Sequence, residues 1–114
     1  MTIDEKLSHA VRGVVELLVN ADIGGLANQC VLSRLTKEDV RSVVNEYGRK
    51  LVLPPSDAYR ELDAVRVSST DIPRWSVRMP LWTKEEGRSD LTLELTVTMG
   101  ANDTQIELDD IHVL

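Results

Sequence analysis

Asp109, Asp110 and His112 stand within four positions of one another near the C terminus, and Asp90 follows an acidic loop that holds Glu85 and Glu86. Carboxylates grouped with one imidazole can ligate a divalent cation, exchange a proton, or present a solvated negative surface. A metal site would be signalled by an H-x-x-x-H pair or by calcium-loop spacing, and the chain has neither. Acid–base work by His112 is weakly signalled, because a chain this rich in acids puts some carboxylate near any histidine. The simplest reading is a solvated acidic surface with a turn held by Arg88 and Asp90. His9 falls in a helical pattern and reads as a surface or partly buried residue. The sequence thus predicts no catalytic residue, no metal and no cofactor.

Three strands must position these groups. In the stretch 91–99, Leu91, Leu93, Leu95, Val97 and Met99 alternate with Thr92, Glu94, Thr96 and Thr98, the period of a sheet with one dry face and one wet face. Trp75, Val77, Met79 and Leu81 share a face in the preceding strand, which leaves Arg78, Pro80 and Trp82 on the other. Pro80 cannot donate a ladder hydrogen bond, so it predicts an edge or a bulge there. Trp82 is either covered by the 84–90 loop or helices, or is a contact aromatic for a partner.

The turn GAND at 100–103 pairs Met99 with Thr104, Val97 with Ile106 and Leu95 with Leu108 on the dry face. The wet face then sets Thr96 against Glu107 and Glu94 against Asp109, and like charges directly opposite are unfavourable unless Arg78 offsets them. Continuing that register would turn Asp110 and His112 inward and Ile111 and Val113 outward. A one-residue bulge near Asp109 and Asp110 repairs the pattern, turning Ile111 and Val113 inward and leaving Asp110 and His112 outward or at the rim, and is expected.

The N-terminal half is helical. Thr2 and Glu5 match a capping box, and Ile3, Leu7, Ala10, Val11, Val14, Leu17 and Leu18 recur at helical spacing to about residue 21. Gly24 and Gly25 should end or kink that helix, through positive φ or a close approach rather than as a phosphate loop. Thr36 and Asp39 open a second helix that Gly48 closes. Leu51–Pro55 reads as a packed connection, 56–61 as a helical turn and 62–67 as a short strand, after which SSTDIPR breaks the chain.

The net charge of −6 is confined to residues 89–114, which hold Asp90, Glu94, Asp103, Glu107, Asp109 and Asp110 and no Lys or Arg. Such a surface disfavours nucleic-acid binding and suits a basic protein partner. Cys30 is unpaired by count, no apolar run approaches the ~20 residues of a membrane span, and the N terminus has no secretory pattern. A single cytoplasmic α+β domain over 1–114 is expected, monomeric or weakly homodimeric.

The segments LWTKEEGRSDLTL and DDIHVL, with YGRKLVLPP at 47–55, resemble a small uncharacterised bacterial family that shares these motifs. The resemblance implies that EEGRSD and DDIH belong to one feature of that family, and it carries no catalytic residue. Two to three N-terminal helices packed on a four-stranded antiparallel meander are also similar to the cystatin-like and nuclear-transport-factor-2-like cone folds, which host binding proteins, enzymes and immunity proteins. The inward positions here are nearly all aliphatic, so a non-enzymatic protein-binding domain of the immunity-inhibitor or adaptor kind, directed at a basic partner such as a toxin domain, ranks first. Its contact residues would be Trp82, Glu85, Glu86, Arg88, Asp90, Glu94, Glu107, Asp109, Asp110 and His112. A small-molecule binder or enzyme with a cavity near His112 and Asp110 is the alternative.

Overall fold

The computed structural model describes residues 2–67 and 71–114. In chain order its elements are α1 (Ile3–Val19), α2 (Ile23–Gln29), β1 (Leu32–Ser33), α3 (Lys37–Tyr47), β2 (Leu51–Val52), a 3-10 helix (Ser56–Glu61), β3 (Asp63–Arg66), β4 (Arg74–Thr83), β5 (Gly87–Met99) and β6 (Thr104–Val113). The expected break at SSTDIPR falls partly on 68–70, outside the described residues.

The fold is mixed α+β, and its sheet is larger than a four-stranded meander. The strand order is β1-β6-β5-β4-β2, with β3 also paired to β4. Strands β3 to β6 form the expected antiparallel meander. The correction lies in two added strands of two residues each. Leu51 and Val52, read as connection, pair antiparallel with Thr83 and Trp82, while Leu32 and Ser33 run parallel to Glu107 and Leu108. Two-residue strands carry too little alternation to be seen as a period, and a parallel pairing depends on where the helices return the chain.

Local chemistry explains the helix limits. Thr2 accepts from the Glu5 N–H at 3.2 Å to start α1, and Thr36 accepts from the Asp39 N–H at 3.1 Å to start α3, so both capping boxes form. Gly48, at φ 71°, closes α3 in the left-handed region. Gly24 and Gly25 do not end α1. The break comes earlier, at Asn20 to Asp22, and both glycines lie inside α2. Asp22 caps α2 by accepting from the Gly25 N–H at 2.9 Å, and a Cβ on Gly25 would stand 2.5 Å from Oδ2 of Asp22. Close approach, not positive φ, is what this glycine supplies.

The core lies between the helices and one face of the sheet. Leu7, Val11, Val14 and Leu18 of α1, Leu26 of α2 and Val40 of α3 pack with Val77, Met79, Leu81, Leu91, Leu93, Leu95, Val97, Ile106, Leu108 and Ile111. These are the alternate positions of the three long strands, so burial fixes the register: a one-residue slip would turn the aliphatic set to water. Residues of the opposite set, including Ser76, Arg78, Glu94, Thr96, Glu107 and His112, are exposed or half-buried.

Both expected irregularities are present. Between Pro80 and Trp82 the β4–β5 register shifts: only Leu81 lies between the flanking pairs on β4, while Ser89, Asp90 and Leu91 lie between them on β5. Pro80 therefore sits beside a bulge in an interior strand. In the second, β6 has one extra residue, Asp109, between the pairs Leu95–Leu108 and Glu94–Asp110. Ile111 turns inward and is 3% exposed; Val113, expected to be buried with it, lies on the same face opposite Leu91 but is 56% exposed, because β6 ends there. The partner of Glu94 is thus Asp110 rather than Asp109.

Candidate functional site on the open sheet face

The Asp109 bulge determines what the outer face carries. With one residue inserted, Asp110 and His112 lie on the side of Glu94 and Thr92, their cross-strand partners. Thr96 donates to Oδ2 of Asp109 at 2.6 Å, so Asp109 also reaches this face. Three neighbouring carboxylates and one imidazole meet there.

Each acid in the group is tethered. Glu94 Oε1 lies 2.7 Å from Arg78 Nε, and Asp110 Oδ1 accepts from the Ile111 N–H at 2.9 Å. The remaining oxygens converge on one atom: His112 Nδ1 is 3.0 Å from Asp110 Oδ2 and 3.3 Å from Glu94 Oε2. Neither approach is aligned as a hydrogen bond, although Nδ1 itself is enclosed. The side chains of His112 and Asp110 are 34% and 47% exposed, so the group opens to solvent on one side.

Arg34 approaches the same strand from the loop after β1, with Nε 3.9 Å from Glu107 and 3.8 Å from Asp109. At 74% exposure of the arginine these are loose, solvent-screened pairs. Glu94, Glu107, Asp109 and Asp110 thus face two guanidiniums, those of Arg34 and Arg78. An excess of two negative charges remains when His112 is neutral. The contribution of Arg34 had no signal in sequence, because it depends on the short parallel pairing of β1 with β6.

The other expected contact residues lie elsewhere. Glu85 accepts from the Lys50 N–H at 3.1 Å, which holds its carboxyl below the usual range. Glu86 accepts from the Tyr47 hydroxyl at 2.8 Å and from Thr83 at 3.1 Å. These two acids, both exposed, tie the β4–β5 turn to the end of α3 and the start of β2. Trp82 is half-buried; Gly87, at φ 73°, brings its backbone against the indole, where a Cβ would stand 3.7 Å from the ring. With Pro80, Arg88 and Asp57, Trp82 lines a groove of about 330 Å³. Asp90 is exposed, and its carbonyl accepts from the Leu114 N–H at 3.0 Å, closing the end of β6 on β5.

A second groove, of about 600 Å³, runs along the outer face between Leu32 and the Thr96, Gln105 and Glu107 side chains. Val31 and Leu32 are exposed apolar residues at its wall. Cys30, by contrast, is buried, and burial pushes its thiol up to about 11, so it is protonated and unreactive at neutral pH.

An α+β domain with helices on one face of its sheet and a charged, largely exposed or half-buried second face among the described residues is the class these observations define. The chain belongs to the family described as Domain of unknown function (DUF7668), which matches residues 15–114. No curated protein and no solved structure was found to match it. Among the described residues, no helix is long and apolar enough to cross a membrane.

Proposed function

We propose that this domain is a non-enzymatic protein-binding module of the cytoplasm, an inhibitor or adaptor of the immunity-protein kind, that engages a basic partner through the outer face of β4, β5 and β6. One observation carries the reading: the three α-helices pack on the other side, and the outer positions of the longest strands stay exposed or half-buried among the described residues, apart from Thr92 at 2%. That face offers what a protein interface needs. It has a groove walled by exposed Val31 and Leu32, a half-buried aromatic at Trp82, and a carboxylate column along β6 with excess negative charge.

The cone-cavity alternative has less support. Leu91, Leu93, Leu95 and Val97 are at most 1% exposed and fill the space between sheet and helices with aliphatic groups, which neither orient nor activate a polar substrate. The test is capture from lysate of the source cell by the wild-type domain and by Glu107→Lys/Asp109→Lys, at low and high salt. A basic protein held by the wild type should bind the variant at least tenfold more weakly, with less dependence on salt. Equal capture by both would contradict the proposal.

A further inference from the structure

We infer that Glu94, Asp110 and His112 form a binding site for a divalent transition-metal cation of the zinc class, at the centre of the open face. Their nearest ligand atoms all lie within 4.8 Å of one another. Zinc bound tetrahedrally at 2.0–2.2 Å by nitrogen and oxygen holds its ligands about 3.3–3.6 Å apart. His112 Nδ1 stands 3.3 Å from Glu94 Oε2 and 3.0 Å from Asp110 Oδ2, so two edges of such a tetrahedron are nearly in place.

The two carboxylates are oriented as ligands are oriented. Each is fixed through one oxygen and presents the other: Arg78 holds Glu94 Oε1, and the Ile111 amide holds Asp110 Oδ1. Outer contacts of this kind aim and stiffen metal ligands. All three residues lie on adjacent strands in register, Glu94 opposite Asp110 and Thr92 opposite His112, which holds them more rigidly than a loop would.

The imidazole supplies an independent observation. Its Nδ1 is enclosed, lies within 3.3 Å of two carboxylate oxygens, and makes an aligned hydrogen bond to neither. A nitrogen so placed is poorly used as a donor and well placed as a lone-pair ligand, with the ring proton on Nε2. Local charge points the same way, since the excess of two negative charges matches one divalent cation. One imidazole among the ligands favours zinc-like ions over magnesium and calcium, which prefer all-oxygen sets. Three protein ligands leave a fourth position, and the partial exposure of Asp110 and His112 puts it on the solvent side. This inference does not depend on the partner reading.

The test is a titration of the full chain, stripped with chelator and dialysed, with Zn²⁺ by calorimetry at pH 7.5, followed by Co²⁺ absorption and ¹⁵N imidazole spectra. One ion per chain is expected, with coordination at Nδ1 of His112 and no competition from equimolar Mg²⁺. Affinity should fall at least tenfold in His112→Ala and in Asp110→Asn, with thermal melts confirming their fold, and should persist in His9→Ala. If His112→Ala does not fold, His112→Gln replaces it in the same titration. The inference is overturned by the absence of saturable one-to-one binding up to millimolar Zn²⁺. Wild-type affinity in the folded His112 and Asp110 variants, or coordination through Nε2, would overturn it equally.

Discussion

Glu94 stands directly opposite Asp110 across the β5–β6 ladder, two carboxylates on one face of adjacent strands. Such a pair is unfavourable on its own. It is sustained here by Arg78, 2.7 Å from Glu94, and by the Ile111 N–H, which donates to Asp110 at 2.9 Å. The juxtaposition exists because Asp109 is an extra residue. Without it, a strict alternation from Leu108 would carry Asp110 and His112 into an aliphatic core.

Removing the extra residue tests that relationship. Deleting Asp109 or Asp110 yields the same chain, in which one aspartate separates Leu108 from Ile111 and every inward position is kept. The domain should still fold cooperatively, losing about 1–2 kcal/mol with the Thr96–Asp109 hydrogen bond, a charge-assisted contact. Circular dichroism and a urea melt check this. Loss of folding would show that the bulge itself, and not the alternation it restores, holds β6 in place.

The bulge turns Ile111 and Val113 to one face, opposite Leu93 and Leu91, but Val113 is the last residue of β6 and stays at the surface. Ile111→Ala removes a buried side chain and should destabilise the domain by about 2–5 kcal/mol. Val113→Ala, at a position 56% exposed, should cost about 0.5 kcal/mol or less. Urea midpoints of the two variants decide the matter, and equal losses would contradict the exposure of Val113 at the strand end.

The long strands were legible because Leu91 to Met99 alternate without exception and the core requires it. The bulge was legible for the same reason: only an inserted residue reconciles Leu108 with Ile111 on one face. The site was legible in part. The sequence groups Asp110 with His112 and sets Glu94 against Asp109, whereas the structure sets Glu94 against Asp110; Glu85 and Glu86 accept hydrogen bonds from Lys50, Tyr47 and Thr83. Such long-range tethers leave no period in the chain. Neither does the two-residue strand β1, and with it the approach of Arg34.

Acid should weaken the tether at the β4–β5 turn. The Lys50 N–H holds Glu85 below its ordinary value of 4.5, so the folded state favours the carboxylate. Its contribution is complete above about pH 4.5 and is lost as pH falls through the lower, folded-state value. Glu85→Gln should therefore be less stable than wild type at pH 7, and the gap should close at pH values where the wild-type carboxyl is protonated. Urea midpoints across that range check the sign. A gap that widens in acid would contradict it.

The claim that the open sheet face is the contact surface is tested most directly by site-specific photo-crosslinking in the source cell. A photoreactive residue at Ser76 or Gln105, exposed on the outer face, is compared with one at Arg41, exposed on α3. The account predicts a discrete adduct with a basic protein from the two sheet positions, diminished by Glu107→Lys/Asp109→Lys, and none from the helix. An adduct from Arg41 with neither sheet position labelled would contradict it and move the binding surface to the helices.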